Sequence, residues 1–125
     1  MVNVLDKIIE DKKESLKIIK KANSLDSIES KIKSLNNFLN FKEVIANNTS
    51  VSLITEIKKA SPSAGIIVEN YNPVEIASVY EKNNATCLSV LTEEEFFLGN
   101  LLHISKKKKK ISLPILCKDF FIDKF

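Results

Sequence analysis

Arginine and glutamine are missing from this chain altogether. All 19 basic residues are therefore lysine, set against 16 acidic ones for a net charge of +3. Bidentate reading of guanine or of phosphate favours the planar guanidinium, so a basic excess made of plain lysine argues against sequence-specific nucleic-acid recognition. The lack of Arg and Gln beside abundant Lys, Asn and Ile is a compositional drift with no functional content. No stretch approaches the roughly 18 consecutive apolar residues of a membrane-spanning helix. The start, Met1-Val2-Asn3-Val4-Leu5-Asp6-Lys7, carries both signs of charge in place of a basic region followed by an apolar one. A soluble, cytoplasmic protein that engages no membrane is expected. The two cysteines, Cys87 and Cys117, form no CxxC, and His103 is the single histidine. That excludes a zinc site and a disulfide scaffold and leaves both cysteines expected as reduced and buried.

What remains is an ordinary globular composition. Of 125 residues, 44% are hydrophobic and 28% charged, far from the apolar-poor profile of a disordered segment. The length suits one domain with a core, but falls short of the roughly 200 residues of a closed (β/α)₈ barrel.

The first fifty residues read as helical. Leu5, Ile8, Ile9, Leu16 and Ile19 recur at helical spacing, and after Ser24 a second register runs through Leu25, Ile28, Ile32, Leu35 and Leu39. A short third helix over Phe41 to Ala46 is expected to stop at Asn47-Asn48, residues that tolerate left-handed backbone. At Val51 the period changes. Val51 to Lys58 is rich in β-branched residues and lies between that Asn pair and the turn-forming Ser61-Pro62-Ser63-Ala64-Gly65, which marks a strand with a loop behind it. Asn72 then reads as an N-cap, with Pro73 at the first helical position and Glu75 at the third. Cys87 to Leu91 is a second strand, about Asn100 to Lys110 a second helix of this series, and Ile115 to Lys118 a third strand. Strands alternating with helices of about ten residues indicate βαβ units and a parallel sheet, an α/β fold.

Residues two apart in a strand share a face, so Glu56 and Lys58 project to one side at the carboxyl end of the first strand, and Lys118 occupies the same end of the third. In parallel α/β folds that end is where ligands bind. Charge inside an otherwise apolar strand is costly unless paired or functional. Two readings stand: a ligand-facing cluster, or a Glu56–Lys58 ion pair closing the top of the core while Lys118 reaches into solvent. The Lys58 to Gly65 loop has lysine and serine donors for an anion but no GxxxxGK[ST], and reads first as a turn. Phe96-Phe97 reads as a hydrophobic lid or an aromatic wall for a substrate ring. The Lys106–Lys110 run reads as the solvated end of a helix, where cations complement the macrodipole. A basic interaction module built on that run would lack interleaved aromatics. His103, on the same helix, reads as a surface residue.

Four blocks in order carry a resemblance: Glu56-Ile57-Lys58-Lys59-Ala60-Ser61-Pro62-Ser63, then Tyr71-Asn72-Pro73-Val74-Glu75-Ile76-Ala77, then Cys87 to Glu93 with Phe96-Phe97-Leu98-Gly99, then Leu113-Pro114-Ile115-Leu116-Cys117-Lys118-Asp119-Phe120. Together they resemble indole-3-glycerol phosphate synthase, from about Val51 to the end, and the helical first fifty residues suit that family's N-terminal extension. The resemblance implies residues 1–50 as a helical extension and residues 51–125 as the first two and a half or so βα units of a (β/α)₈ (TIM) barrel lyase of tryptophan biosynthesis. Its reaction converts 1-(2-carboxyphenylamino)-1-deoxyribulose 5-phosphate to indole-3-glycerol phosphate by ring closure, decarboxylation and dehydration, without cofactor or metal.

The same resemblance implies Lys118 as the acid that protonates the substrate carbonyl oxygen and Lys58 as a ligand of the anionic substrate that also takes part in proton transfer. Glu56 is the catalytic carboxylate beside it. Ser61 lies near the bound substrate, Phe97 lines the anthranilate pocket, and Phe120 is a further substrate contact. A lysine among other cations in a dry pocket can have its pKa drawn towards neutrality, as general acid catalysis needs. In the family the general base and the phosphate loops of the seventh and eighth strands lie further along than residue 125. The sequence is thus expected to be either part of a longer synthase or a truncated remnant, without turnover as 125 residues.

Overall fold

A computed structural model describes residues 3–108 and 111–125. Two compact units emerge, one from residues up to 38 together with 120–125, the other from Leu39 to Asp119.

The first unit contains helix α1 (Val4–Ala22) and helix α2 (Leu25–Lys33). Each starts where a side chain can accept from an otherwise unpaired N–H: Asn3 Oδ1 takes the Asp6 amide at 2.9 Å and Ser24 Oγ the Ser27 amide at 3.2 Å. Lys20 on α1 pairs with Asp123 and lies over the Phe125 ring, 5.5 Å from its centroid, which ties the last residues to the helix.

The second unit runs α3 (Phe41–Ala46), β1 (Ile54–Ile57), β2 (Ala60–Ser61), β3 (Gly65–Ile66), α4 (Pro73–Lys82), β4 (Cys87–Leu91), α5 (Leu102–Lys108) and β5 (Ile115–Lys118). Strands β1, β4 and β5 form one parallel sheet with β4 in the middle. The strands pair in register, Glu56 with Ser89 and Leu91 with Lys118. One face carries Ile57, Leu88 and Val90, which pack with Ala77 of α4 and Ile111 as the core, flanked by Ile76, Tyr80 and Ile104. Helices α4 and α5 therefore cover that face, and the opposite face carries Glu56, Ser89 and Lys118. All of β4 is buried, whereas Ile54 and Leu116 on the two outer strands stay about half exposed.

Several local expectations change in the structure. The first strand begins at Ile54 instead of Val51, which is 93% exposed. Its partner among the described residues, β4, begins at Cys87 opposite Ile54, so the ladder starts there; Thr86 Oγ1 accepts the Leu53 amide just ahead of it. Asn47, the C-cap of α3, is right-handed (φ −86°). The left-handed asparagine is Asn84 (φ 63°), after α4. There Ala85 N–H bonds Tyr80 O and Asn84 N–H bonds Glu81 O, the paired closure of a Schellman end. The Ser61–Gly65 turn closes a short antiparallel hairpin of two-residue strands, β2 against β3, with Gly65 at φ 65°.

Cys87 is buried, and its thiol pKa is pushed up by that burial, but Cys117 is only half-buried because β5 is an outer strand; both are free thiols. His103 is only partly exposed: its ring meets Tyr71 edge-on at 5.5 Å and its Nδ1 is buried, α5 having turned that side towards α4. Of the lysine run, α5 extends to Lys108, while Lys109, Lys110 and the side chains of the run lie outside the described residues.

Candidate active site

Glu56 is the hinge of the candidate site. It sits next to last in β1, on the face away from α4, and its carboxylate divides between two ammonium groups: Oε1 accepts from Lys58 Nζ at 2.8 Å and Oε2 from Lys118 Nζ at 2.6 Å. The second contact joins residues 62 apart in sequence and crosses the width of the sheet, roughly 10 Å for two strand spacings. On β4 the residue opposite Glu56 is Ser89 and the residue opposite Lys118 is Leu91, so the two long side chains meet diagonally over the middle strand. Tyr80 Oη donates to the Glu56 carbonyl at 3.3 Å, which anchors this end of β1 from the helix side.

Burial alone would raise the Glu56 pKa, but hydrogen bonds and charge from Lys118 and Lys58 outweigh it and hold the carboxyl below its ordinary value. The side chains are about 30% exposed for Glu56, 32% for Lys58 and 52% for Lys118. The cluster is thus a solvent-reachable ion triad, not a buried structural pair, and an anion can approach its lysines.

Ser61 follows at the start of the hairpin. Its Oγ accepts the Ala64 amide at 3.2 Å and lies 3.4 Å from Ser63 Oγ, so its lone pairs are partly occupied in holding the turn. Phe97 lies half-buried in the loop after β4. Phe120 falls in the first compact unit, whereas Glu56, Lys58, Ser61, Phe97 and Lys118 all belong to the second.

Two residues that sequence reasoning gave no role shape this end of the sheet. Buried Thr92 donates its Oγ1–H towards Asp119 Oδ2 at 2.9 Å, while its N–H bonds Lys118 O at 3.0 Å, so it fixes the backbone that presents Lys118. Glu93, 1% exposed, accepts three backbone amides of its own loop. Neither shows in periodicity, because both lie just past the strand. An open groove of about 720 Å³ lies at the opposite, amino-terminal end of the strands, lined by Asn47, Asn48, Val51, Thr86 and Leu113 among others. It is distant from the ion triad, on the side of such sheets where residues serve stability.

A family model for indole-3-glycerol phosphate synthase matches residues 5–125. The chain belongs to the indole-3-glycerol phosphate synthase family. Similar proteins include the indole-3-glycerol phosphate synthase of Clostridium acetobutylicum, 49% identical over 123 residues, and that of Alkaliphilus metalliredigens, 45% identical over 122 residues. Each match covers 98% of this chain and 47% of the relative. The synthase of Bacillus pumilus is 56% identical over 84 residues, 66% of this chain and 34% of that protein. The chain thus spans about half the length of the synthases it matches. Its parallel sheet β1-β4-β5 with helices on one face is that of a partial (β/α)₈ barrel of the synthase family. Within that fold the triad stands at the carboxyl ends of the strands, the end where barrel enzymes keep their chemistry.

Proposed function

We propose that this chain carries the first part of the catalytic site for conversion of 1-(2-carboxyphenylamino)-1-deoxyribulose 5-phosphate to indole-3-glycerol phosphate. Residues 1–50 are its helical extension and residues 51–125 its first βα units. The observation that carries the reading is the joining of Lys58 and Lys118 through one carboxylate at the strand ends.

The chemistry follows from charge. Ring closure forms a carbon–carbon bond between the ring carbon that bears the carboxylate and the substrate carbonyl carbon, and negative charge gathers on the carbonyl oxygen. Lys118, the more exposed lysine, delivers a proton there, where stabilisation counts in the transition state. Lys58 holds the substrate carboxylate until carbon dioxide leaves, and Glu56 keeps the two ammonium groups apart and oriented. Phe97 supplies apolar surface for the aromatic ring, and Ser61 a hydroxyl beside the chain of the sugar phosphate. Elimination of water then yields the indole. No cofactor or metal enters these steps, the partner is a small phosphorylated molecule and neither nucleic acid nor membrane, and the setting is the cytoplasm. The 125 residues alone bind without completing turnover, since the dehydration base and phosphate loops have no counterpart in the four matching blocks.

The test is a titration of the chain with that substrate, read by nuclear magnetic resonance. Signals of Lys58, Lys118 and Phe97 should shift together, saturably, with no indole-3-glycerol phosphate formed. Unmoved lysine signals, or product formation by the purified chain, would refute the reading.

A further inference from the structure

The loop that follows β4 is organised around a buried carboxylate to which the proposed chemistry assigns no part. Glu93 is 1% exposed. Its Oε2 accepts the amides of Phe96 at 2.7 Å and Phe97 at 3.0 Å, and its Oε1 accepts the amide of Glu95 at 3.2 Å. Burying a carboxylate is costly unless its oxygens are satisfied, and here local backbone donors satisfy both. The same residue closes the loop from its main chain, its carbonyl accepting the Gly99 amide at 2.7 Å.

Two further features show that this loop is held in a shape it would not adopt unaided. Leu98 has φ 52°, in the left-handed region that a branched side chain avoids. A Cβ on Gly99 would lie 2.5 Å from Leu91 O and 2.8 Å from Glu93 O, so the chain returns against the strand end at a distance only glycine allows. Between the carboxylate and these two constraints stands Phe97. A strained residue persists only where its surroundings over-determine it, and Leu98 lies between the amides of residues 95–97 held by the Glu93 carboxylate and the Gly99 amide held by its carbonyl.

We infer that Glu93 is a positioning residue, whose carboxylate fixes the backbone of residues 95–97 and so the direction in which Phe97 is presented to a substrate ring. The inference deepens the proposed function and rests on it for the ring, while the hold of Glu93 on the loop stands by itself. Glu93 touches no reacting atom in this scheme; it acts through Phe97.

The experiment contains no ligand, so its outcome is separate from that of the substrate titration. Amide hydrogen exchange and Phe97 ring signals are recorded for the whole chain and for Glu93→Ala and Glu93→Gln. Alanine removes all three acceptor contacts, and exchange at Glu95, Phe96 and Phe97 should rise roughly tenfold to a hundredfold, with the Phe97 ring signals losing their dispersion. Leu88 and Val90 in the core should be unaffected. Glutamine keeps one carbonyl oxygen, so it should restore protection at Phe96 and Phe97 but not at Glu95, and return the ring signals towards those of the unaltered chain. Should the alanine variant not fold, the split between Glu95 and the two phenylalanines in the glutamine variant still decides. Unchanged exchange at residues 95–97, or a loss spread evenly over β4 as well, would overturn the inference.

Discussion

Replacing Lys118 with methionine removes one of the two ammonium groups on Glu56 and keeps nearly the same side-chain length. The cost to folding follows from exposure. Lys118 is 52% exposed and Glu56 30%, so the pair sits nearer the surface regime, where an ion pair contributes about 0.2–1 kcal/mol, than the buried regime, where breaking one costs about 3–5 kcal/mol. Lys58 still neutralises Glu56 in this variant, which keeps the expected loss at about 0.5–1 kcal/mol. Removing both lysines leaves a carboxylate with no cation on either oxygen, and the double variant should lose more than the sum of the singles by about 0.5 kcal/mol or more.

Urea denaturation of the chain, with the transition slope held as a control, measures these differences, and the single-variant loss should shrink in about 1 M salt, where the screening length is about 3 Å. The catalytic effect should be larger. In a synthase turning over with these residues, loss of a general acid lowers kcat about 10²–10⁴-fold, or roughly 2.7–5.4 kcal/mol of barrel-end transition-state stabilisation. A folding loss above about 3 kcal/mol for Lys118→Met, or equal losses in folding and catalysis, would refute the argument and leave the triad as structural.

Acid should remove part of the stability. Because the folded Glu56 pKa is lowered, its contribution is fully present above the ordinary value of 4.5 and is lost as pH falls through the folded one. Urea midpoints between about pH 5 and pH 3 should therefore drop less steeply in Glu56→Gln than in the unaltered chain, and parallel slopes would contradict the assignment. The two glycines should respond differently to alanine: at Gly99 the new Cβ strikes backbone at 2.5 Å, whereas at Gly65 nothing lies within 4 Å and only φ 65° opposes it. Gly99→Ala should cost about 1–3 kcal/mol in urea denaturation and Gly65→Ala about 1 kcal/mol, and the reverse order would count against the close approach at Gly99.

Much of the site was legible because it lies in strands, where a period of two assigns faces without knowledge of partners. Glu56 and Lys58 could be placed together on that ground alone. Their meeting with Lys118 also needs the strand order, in which β5 is the second neighbour of β1. The start of α4 was readable through Asn72, whose side chain accepts the amide three residues on, as those of Asn3 and Ser24 do for α1 and α2. Where tertiary partners decide, local signals fell short. The onset of β1 is set by where β4 begins, and the left-handed asparagine is the one that must close a helix beneath a returning strand. The partial cover of His103 depends on Tyr71, 32 residues away in sequence. Glu93 lies just past the strand, where no period marks it, and only its contact with three amides of its own loop reveals it.

The sharing of one carboxylate between Lys58 and Lys118 also determines how the site meets an ion in solution. At rest the three side chains hold a single net positive charge, with Glu56 serving as resident counter-ion to both lysines. An arriving anion need not strip water from a bare ammonium. In the proposed function it would exchange with one half of Glu56, the more exposed arm, Lys118, swinging across while Glu56 stays with Lys58. Such an exchange conserves the number of ion contacts, so selectivity rests on shape and reach more than on charge. A small inorganic anion that cannot span the two lysines gains little over the carboxylate it displaces.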